Sequence, residues 1–151
     1  MAANRALLLA AVLVGVVVGI GSYTFLYAKG YSYLTNDPRA CANCHVMQDH
    51  FDAWTRASHR TVAVCNDCHT PSALVPKYLT KAQNGFWHSF YFTTGRYPDP
   101  LRMTPRNQRV TELACRTCHA EMTASIDPAH GDAGRLGLQC SSCHNEVGHI
   151  E

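Results

Sequence analysis

The pattern Cys-x-x-Cys-His occurs four times in 151 residues, at Cys41–His45, Cys65–His69, Cys115–His119 and Cys140–His144. No other feature constrains the fold of this chain so tightly. In such a motif the two thiols, here Cys41 and Cys44, Cys65 and Cys68, Cys115 and Cys118, Cys140 and Cys143, form thioethers to the vinyl groups of a c-type haem. The adjacent His45, His69, His119 or His144 ligates the iron. All eight cysteines are consumed in this way, leaving none for a disulfide or a free thiol. Four-cysteine zinc ribbons or redox CxxC motifs are the rival readings. Neither explains a His directly after every second Cys. The pattern predicts four covalently attached haem c groups.

Composition fits this expectation. Of nine histidines, His50, His59, His88, His130 and His149 lie outside the motifs, about the supply needed for distal axial ligands. Thirteen Lys and Arg against eleven Asp and Glu give no nucleic-acid signal. Haem propionates add negative charge, so the sequence pI near 8.1 overstates the basicity of the mature protein. With so much of the chain committed to haem, the haems themselves must supply much of the buried apolar surface.

The run from Ala6 to Tyr27, ALLLAAVLVGVVVGIGSYTFLY, carries no charge over 22 residues. That exceeds the ~20 residues a helix needs to cross a bilayer. Tyr23, Phe25 and Tyr27 cluster at one end as an interfacial aromatic belt would, followed by Lys29. A cleaved secretory signal is the alternative, since Arg5 precedes the apolar run. The run is longer than the usual ~7–15 residues of such a signal and ends in aromatics rather than a small-residue cleavage site. Residues 1–29 therefore read as an uncleaved single-pass anchor in the cytoplasmic membrane, with its helix over about 6–27. Because c-type haem is attached outside that membrane, residues 30–151 are expected to face the periplasm or its equivalent.

The motifs fall into two pairs, with 24 residues from Cys41 to Cys65 and 25 from Cys115 to Cys140. This suggests two di-haem modules. No strand alternation persists, and Pro-marked loops (Asp37-Pro38, Thr70-Pro71, Tyr97-Pro98, Asp99-Pro100, Asp127-Pro128) separate short helical stretches. The expected fold is mainly α and haem-organised: one N-terminal transmembrane helix and a small tetrahaem cytochrome domain.

Between the pairs runs SALVPKYLTKAQNGFWHSFYFTTG. Leu74, Val75, Tyr78 and Leu79 form an apolar stripe, with Lys77 and Lys81 on another. If the helix continues through Gly85, Lys81 and His88 project about 20° apart on one face. Phe86, Trp87, Phe90, Tyr91 and Phe92 surround them. An apolar pocket holding a Lys and a His suits a quinol, whose two hydroxyls must lose protons. A plain amphipathic helix packed on haem, with solvated lysines, is the alternative.

The runs GYSYLTNDPRACANCHVM, ASHRTVAVCNDCHTP, LTKAQNGFWHSF and the C-terminal CHNEVGH resemble the small subunits of cytochrome c nitrite reductase. These belong to the NapC/NirT class of membrane-anchored tetrahaem quinol dehydrogenases. The tetrad Cys44-His45-Val46-Met47 occurs at the first motif only. The resemblance implies that Met47 rather than His45 binds the iron of haem 1. It implies His69, His119 and His144 as proximal ligands of haems 2, 3 and 4. It implies His59 as the distal ligand of haem 4, His149 of haem 3, and His130 of haem 2 unless a partner residue serves there. His50 matches no role and reads as a surface residue. Lys81 matches the class's quinol-site lysine. His88 falls where members carry Asp or His, and either approaches the distal face of haem 1 or accepts a quinol proton.

The function implied is oxidation of menaquinol and electron delivery to a catalytic multihaem nitrite reductase, as part of a hetero-oligomeric membrane complex. The chain has no Cys-x-x-Cys-Lys motif, so it is not expected to be the nitrite-reducing subunit. The alternatives are a NapC-type quinol dehydrogenase feeding another periplasmic reductase, a tethered electron shuttle without a quinol site, and a soluble cytochrome.

Overall fold

The computed structural model describes residues 2–130 and 139–149, with side chains described up to residue 126 and from 139 onward. The chain divides into two compact units, Met1–Ser32 and Tyr33–Glu151. Among the described residues the secondary structure is entirely helical, without a strand.

The first unit is dominated by helix α1, Ala2–Tyr27. Its stretch Ala3–Tyr27 is long and apolar enough to cross a membrane, and none of it is buried within the chain. The helix begins about a turn earlier than the apolar run alone predicts, because Ala3, Asn4 and Arg5 continue the same turns. Tyr23 and Tyr27, one turn apart, stack at 5.8 Å. After the helix Lys29 takes φ 52°. Gly30 then approaches Phe25 so closely that a Cβ there would lie 2.4 Å from its ring.

The second unit strings together short elements. The 3₁₀ turn Gly30–Leu34 spans the boundary between the units, and two more, Pro38–Asn43 and His45–Met47, lead into α2 (Gln48–Arg56) and α3 (Cys65–His69). The long helix α4 covers Leu74–Thr94, followed by α5 (Pro105–Cys118), α6 (Ala120–His130) and α7 (Cys140–Cys143). Local chemistry sets the ends. The Asp37 carboxylate accepts from Arg39 N at 3.0 Å and so starts the Pro38–Asn43 turn. Thr104 caps α5, accepting from Asn107 N at 3.3 Å, with Pro105 in the first turn. Gly95, at φ 65°, ends α4 in the left-handed conformation that closes a helix.

Packing is polar and sparse. Helix α3 lies against α5, and α7 against the same helix. Arg106 donates to Thr80 Oγ1 at 3.0 Å and Asn107 to Asn84 Oδ1 at 3.2 Å, tying α5 to α4. Among the described residues only Ala53 and Ala57 are buried apolar side chains. Two alanines cannot offset the backbone entropy of ordering such a unit, about 1 kcal/mol or more per residue. The described residues therefore bury too little apolar surface to be ordered without a further apolar group.

Candidate functional site

The cysteine pairs of the second, third and fourth motifs sit on single helical turns, which bring residues i and i+3 to one side. The second motif is α3 itself, the third ends α5 with His119 next in chain, and the fourth is α7 followed by His144. The first motif is built differently. Cys44 adopts an extended conformation (φ −89°, ψ 119°) between two 3₁₀ turns, and the second of these carries both His45 and Met47.

Cys41 of the first motif lies against Cys65 of the second. Cys68 of the second motif lies close to Cys115 and Cys118 of the third. Motif 1 thus abuts motif 2, and motif 2 abuts motif 3. Glu112 joins motif 3 to motif 4: its carboxylate accepts from Cys140 N at 2.7 Å, Ser141 N at 3.0 Å and Ser141 Oγ at 2.7 Å. The result is an unbroken succession of attachment points.

Histidines pair across these motifs. The rings of His59 and His119 are 6.1 Å apart, and those of His69 and His149 are 6.0 Å apart. Two imidazoles binding opposite faces of one iron, each through a nitrogen about 2 Å from the metal, have centroids about 6 Å apart. The Nδ1 atoms are already engaged: His59 with Val147 O at 3.1 Å, His149 with His50 O at 2.9 Å. A carbonyl partner at Nδ1 fixes the tautomer that leaves Nε2 bare for a metal. Burial, with His149 and His50 nearby, pushes His69 down to about 4, which keeps it in the neutral, ligating form. The four cysteine pairs, the neighbouring imidazole rings and the scarcity of buried apolar side chains among the described residues all fit haem. Among the described residues no three His, Cys, Asp or Glu side chains converge on a bare metal ion.

This pairing differs from that implied by resemblance. His59 lies against His119 of the third motif rather than His144 of the fourth, and His149 against His69 of the second rather than His119. The α3–α5 packing brings the second and third motifs together, and the loops bearing His59 and His149 reach them from opposite ends of the chain. His50 is half-buried rather than a surface residue, with its ring 5.5 Å from that of His149. His130 ends α6, and its side chain lies outside the described residues.

A second feature lies along α4. The helix runs through Gly85 without a break, so Lys81, Gly85, His88 and Phe92, spaced by four, three and four residues, share one face. That face lies along the segment containing the first motif. Lys81 is 4 % exposed and donates to Thr35 O at 2.7 Å and Asn36 Oδ1 at 3.1 Å. Asn66 donates to the same two oxygens, both at 3.1 Å. Burial, with Lys77 adding to it, lowers the Lys81 pKa. His88 Nδ1 is 3.0 Å from Tyr33 Oη. Phe92 meets the His45 ring edge-on at 5.8 Å. The other aromatics turn outward: Phe86 stacks on Phe90 at 6.4 Å and Trp87 on Tyr91 at 5.3 Å, all four exposed.

Four Cys-x-x-Cys-His motifs in succession, with further imidazole rings brought beside them, define a multihaem c-type cytochrome. The chain belongs to the NapC/NirT cytochrome c family, whose N-terminal-region model matches residues 1–151. It is 34 % identical over 150 residues to the cytochrome c-type protein NrfH of Wolinella succinogenes, covering 91 % of this chain and 82 % of that one. It is 29 % identical over 123 residues to the cytochrome c nitrite reductase subunit NrfH of Nitratidesulfovibrio vulgaris, covering 82 % and 73 %. Its fold matches a chain in the solved cytochrome c nitrite reductase NrfHA complex bound to the HQNO inhibitor, with TM-score 0.64, 24 % identity, and coverage of 95 % and 90 %. The resemblance read from the motifs is thereby borne out, and covalent haem c follows from the family.

Proposed function

We propose that this chain is a membrane-anchored tetrahaem cytochrome, with α1 as the anchor and the haem domain on the periplasmic side. It oxidises menaquinol and passes electrons to a catalytic multihaem nitrite reductase that forms ammonium. The observation that carries the reading is the shared α4 face, on which Lys81, His88 and Phe92 lie beside the segment of the first motif. A quinol needs three things at one place: an apolar surface for its ring and tail, polar groups at its hydroxyls, and a nearby one-electron acceptor. The rings of Phe86, Trp87, Phe90 and Tyr91 offer the first. Lys81, held by Thr35 and Asn36 and lying over the Tyr78 ring at 5.5 Å, would offer its third N–H to a quinol oxygen. His88 takes the proton.

Haem, when bound, supplies one-electron stations held by the four cysteine pairs. His119 with His59, and His69 with His149, would hold two of the irons; Met47 or His45 would serve at the first motif and His144 at the fourth. Delivery to a nitrite reductase is supported by the relatives: one is named as a subunit of that enzyme, and the fold is shared with a chain of its complex.

The experiment is reconstitution. The haem-loaded chain is combined with a catalytic nitrite reductase, and menaquinol is the sole electron donor. Nitrite consumption that requires both proteins and stops with HQNO is expected. Consumption that proceeds equally without the chain, or none with both present, would overturn the proposal.

A further inference from the structure

Tyr33 and His88 stand 55 positions apart in the chain, yet Tyr33 Oη lies 3.0 Å from His88 Nδ1. The Tyr33 ring also packs on α4 at Gly85. A Cβ there would sit 3.4 Å from Tyr33 Cδ2 and Cγ, so the phenol ring packs directly on the helix backbone one turn before His88. The two rings are 6.2 Å apart, tilted by 49°. Nδ1 is therefore spoken for, and Nε2 is the nitrogen that remains for another molecule. Burial raises the pKa of the Tyr33 phenol, so it remains a neutral hydroxyl that both donates and accepts. Desolvation lowers the His88 pKa, favouring a neutral imidazole able to receive a proton.

We propose that Tyr33 positions His88 and relays its proton during quinol oxidation; this rests on reading the α4 face as the quinol site. The quinol O–H bond breaks and its proton bonds to Nε2. The hydrogen on Nδ1 passes to Tyr33 Oη, and the phenol's own hydrogen passes to solvent. Tyr33 ends as a neutral phenol, and His88 ends neutral with its hydrogen on the other nitrogen. Exchange with solvent or a ring flip restores the starting tautomer. The electrons leave separately, to an acceptor of the haem class. Without the hydroxyl, His88 would still meet the quinol, but its proton would have no ordered exit.

The test is Tyr33→Phe in the haem-loaded, full-length protein, which keeps the ring against Gly85 and removes only the hydroxyl. Menaquinol-driven kcat is expected to fall about tenfold, the kinetic equivalent of one hydrogen bond. KM, HQNO affinity, haem content and the dithionite-reduced spectrum are expected to stay as they were. His88→Gln is expected to cost about a hundredfold, and adding Tyr33→Phe to it should cost nothing more, because the two act in series. An unchanged kcat, a rise in KM alone, or losses that multiply would overturn the relay. A proton inventory in mixed light and heavy water needs no substitution: a bowed plot is expected, and a straight line overturns the relay. If the unaltered protein accepts electrons from menaquinol but Tyr33→Phe is silent, the relay alone fails. If the unaltered protein accepts none, the quinol-site reading fails and the relay with it.

Discussion

The imidazoles of His59 and His119 stand edge to face, 6.1 Å apart at 76°, while Nδ1 of His59 lies 3.1 Å from the Val147 carbonyl. One ring comes from the loop after α2 and the other directly follows α5. An iron between them would staple those two elements together. His59→Ala should therefore convert one low-spin centre to a high-spin, carbon-monoxide-binding one, and His149→Ala should convert a different one. The double variant should show two. Electron paramagnetic resonance counts the centres; two converted centres from His59→Ala alone would contradict the pairing.

Glu112 holds α7 through three hydrogen bonds. Burial acts to raise its pKa, but the bonds from Ser141 and Cys140 outweigh it, and the net shift is downward. A carboxylate depressed in the folded state contributes stability that is present above its unfolded pKa and lost as pH falls through the folded one. Glu112→Ala should cost about 3 kcal/mol in the haem-loaded protein at neutral pH. The deficit relative to the unaltered protein should shrink as pH falls below 4.5, the ordinary carboxyl value. Thermal unfolding across pH checks both statements.

Lys81→Met removes two donors from a buried knot, although Asn66 still serves Thr35 and Asn36. The expected loss is about 1–3 kcal/mol of stability together with slower menaquinol oxidation, at unchanged haem content. Unfolding curves and reduction kinetics on the same sample measure it. A variant as stable as the parent would mean that the knot carries no weight.

Among the described residues the buried apolar side chains are Ala53 and Ala57. The chain prepared without haem attachment should therefore lack a cooperative unfolding transition in residues 33–151, while retaining helical signal from α1 in detergent. Circular dichroism during heating is the measurement.

Much of this was legible in the sequence because it is local. Four Cys-x-x-Cys-His turns declare their chemistry within five residues each, and an uncharged run declares a membrane-length helix. Helix α4 was legible up to Gly85, and the structure carries it through to Thr94 because mid-helix glycine costs only about 1 kcal/mol. What stayed hidden is long-range. Nothing near Tyr33 marks it as the partner of His88, and nothing near Thr35 or Asn36 marks them as acceptors for Lys81. His50 looked like a surface residue because its contribution is a backbone carbonyl, offered to His149 at the far end of the chain. The histidine pairing depends on which helices pack, and spacing along the chain does not encode that.

The α4 face beside the first motif is proposed to deliver quinol electrons to covalent haem. Stopped-flow mixing of the oxidised, haem-loaded protein with a menaquinol analogue under anaerobic conditions checks this, with the haem absorption bands as readout. Rapid reduction that HQNO suppresses, and that slows in Lys81→Met and His88→Gln, is the predicted result. No reduction by the quinol, in protein whose haems dithionite still reduces fully, would contradict the account.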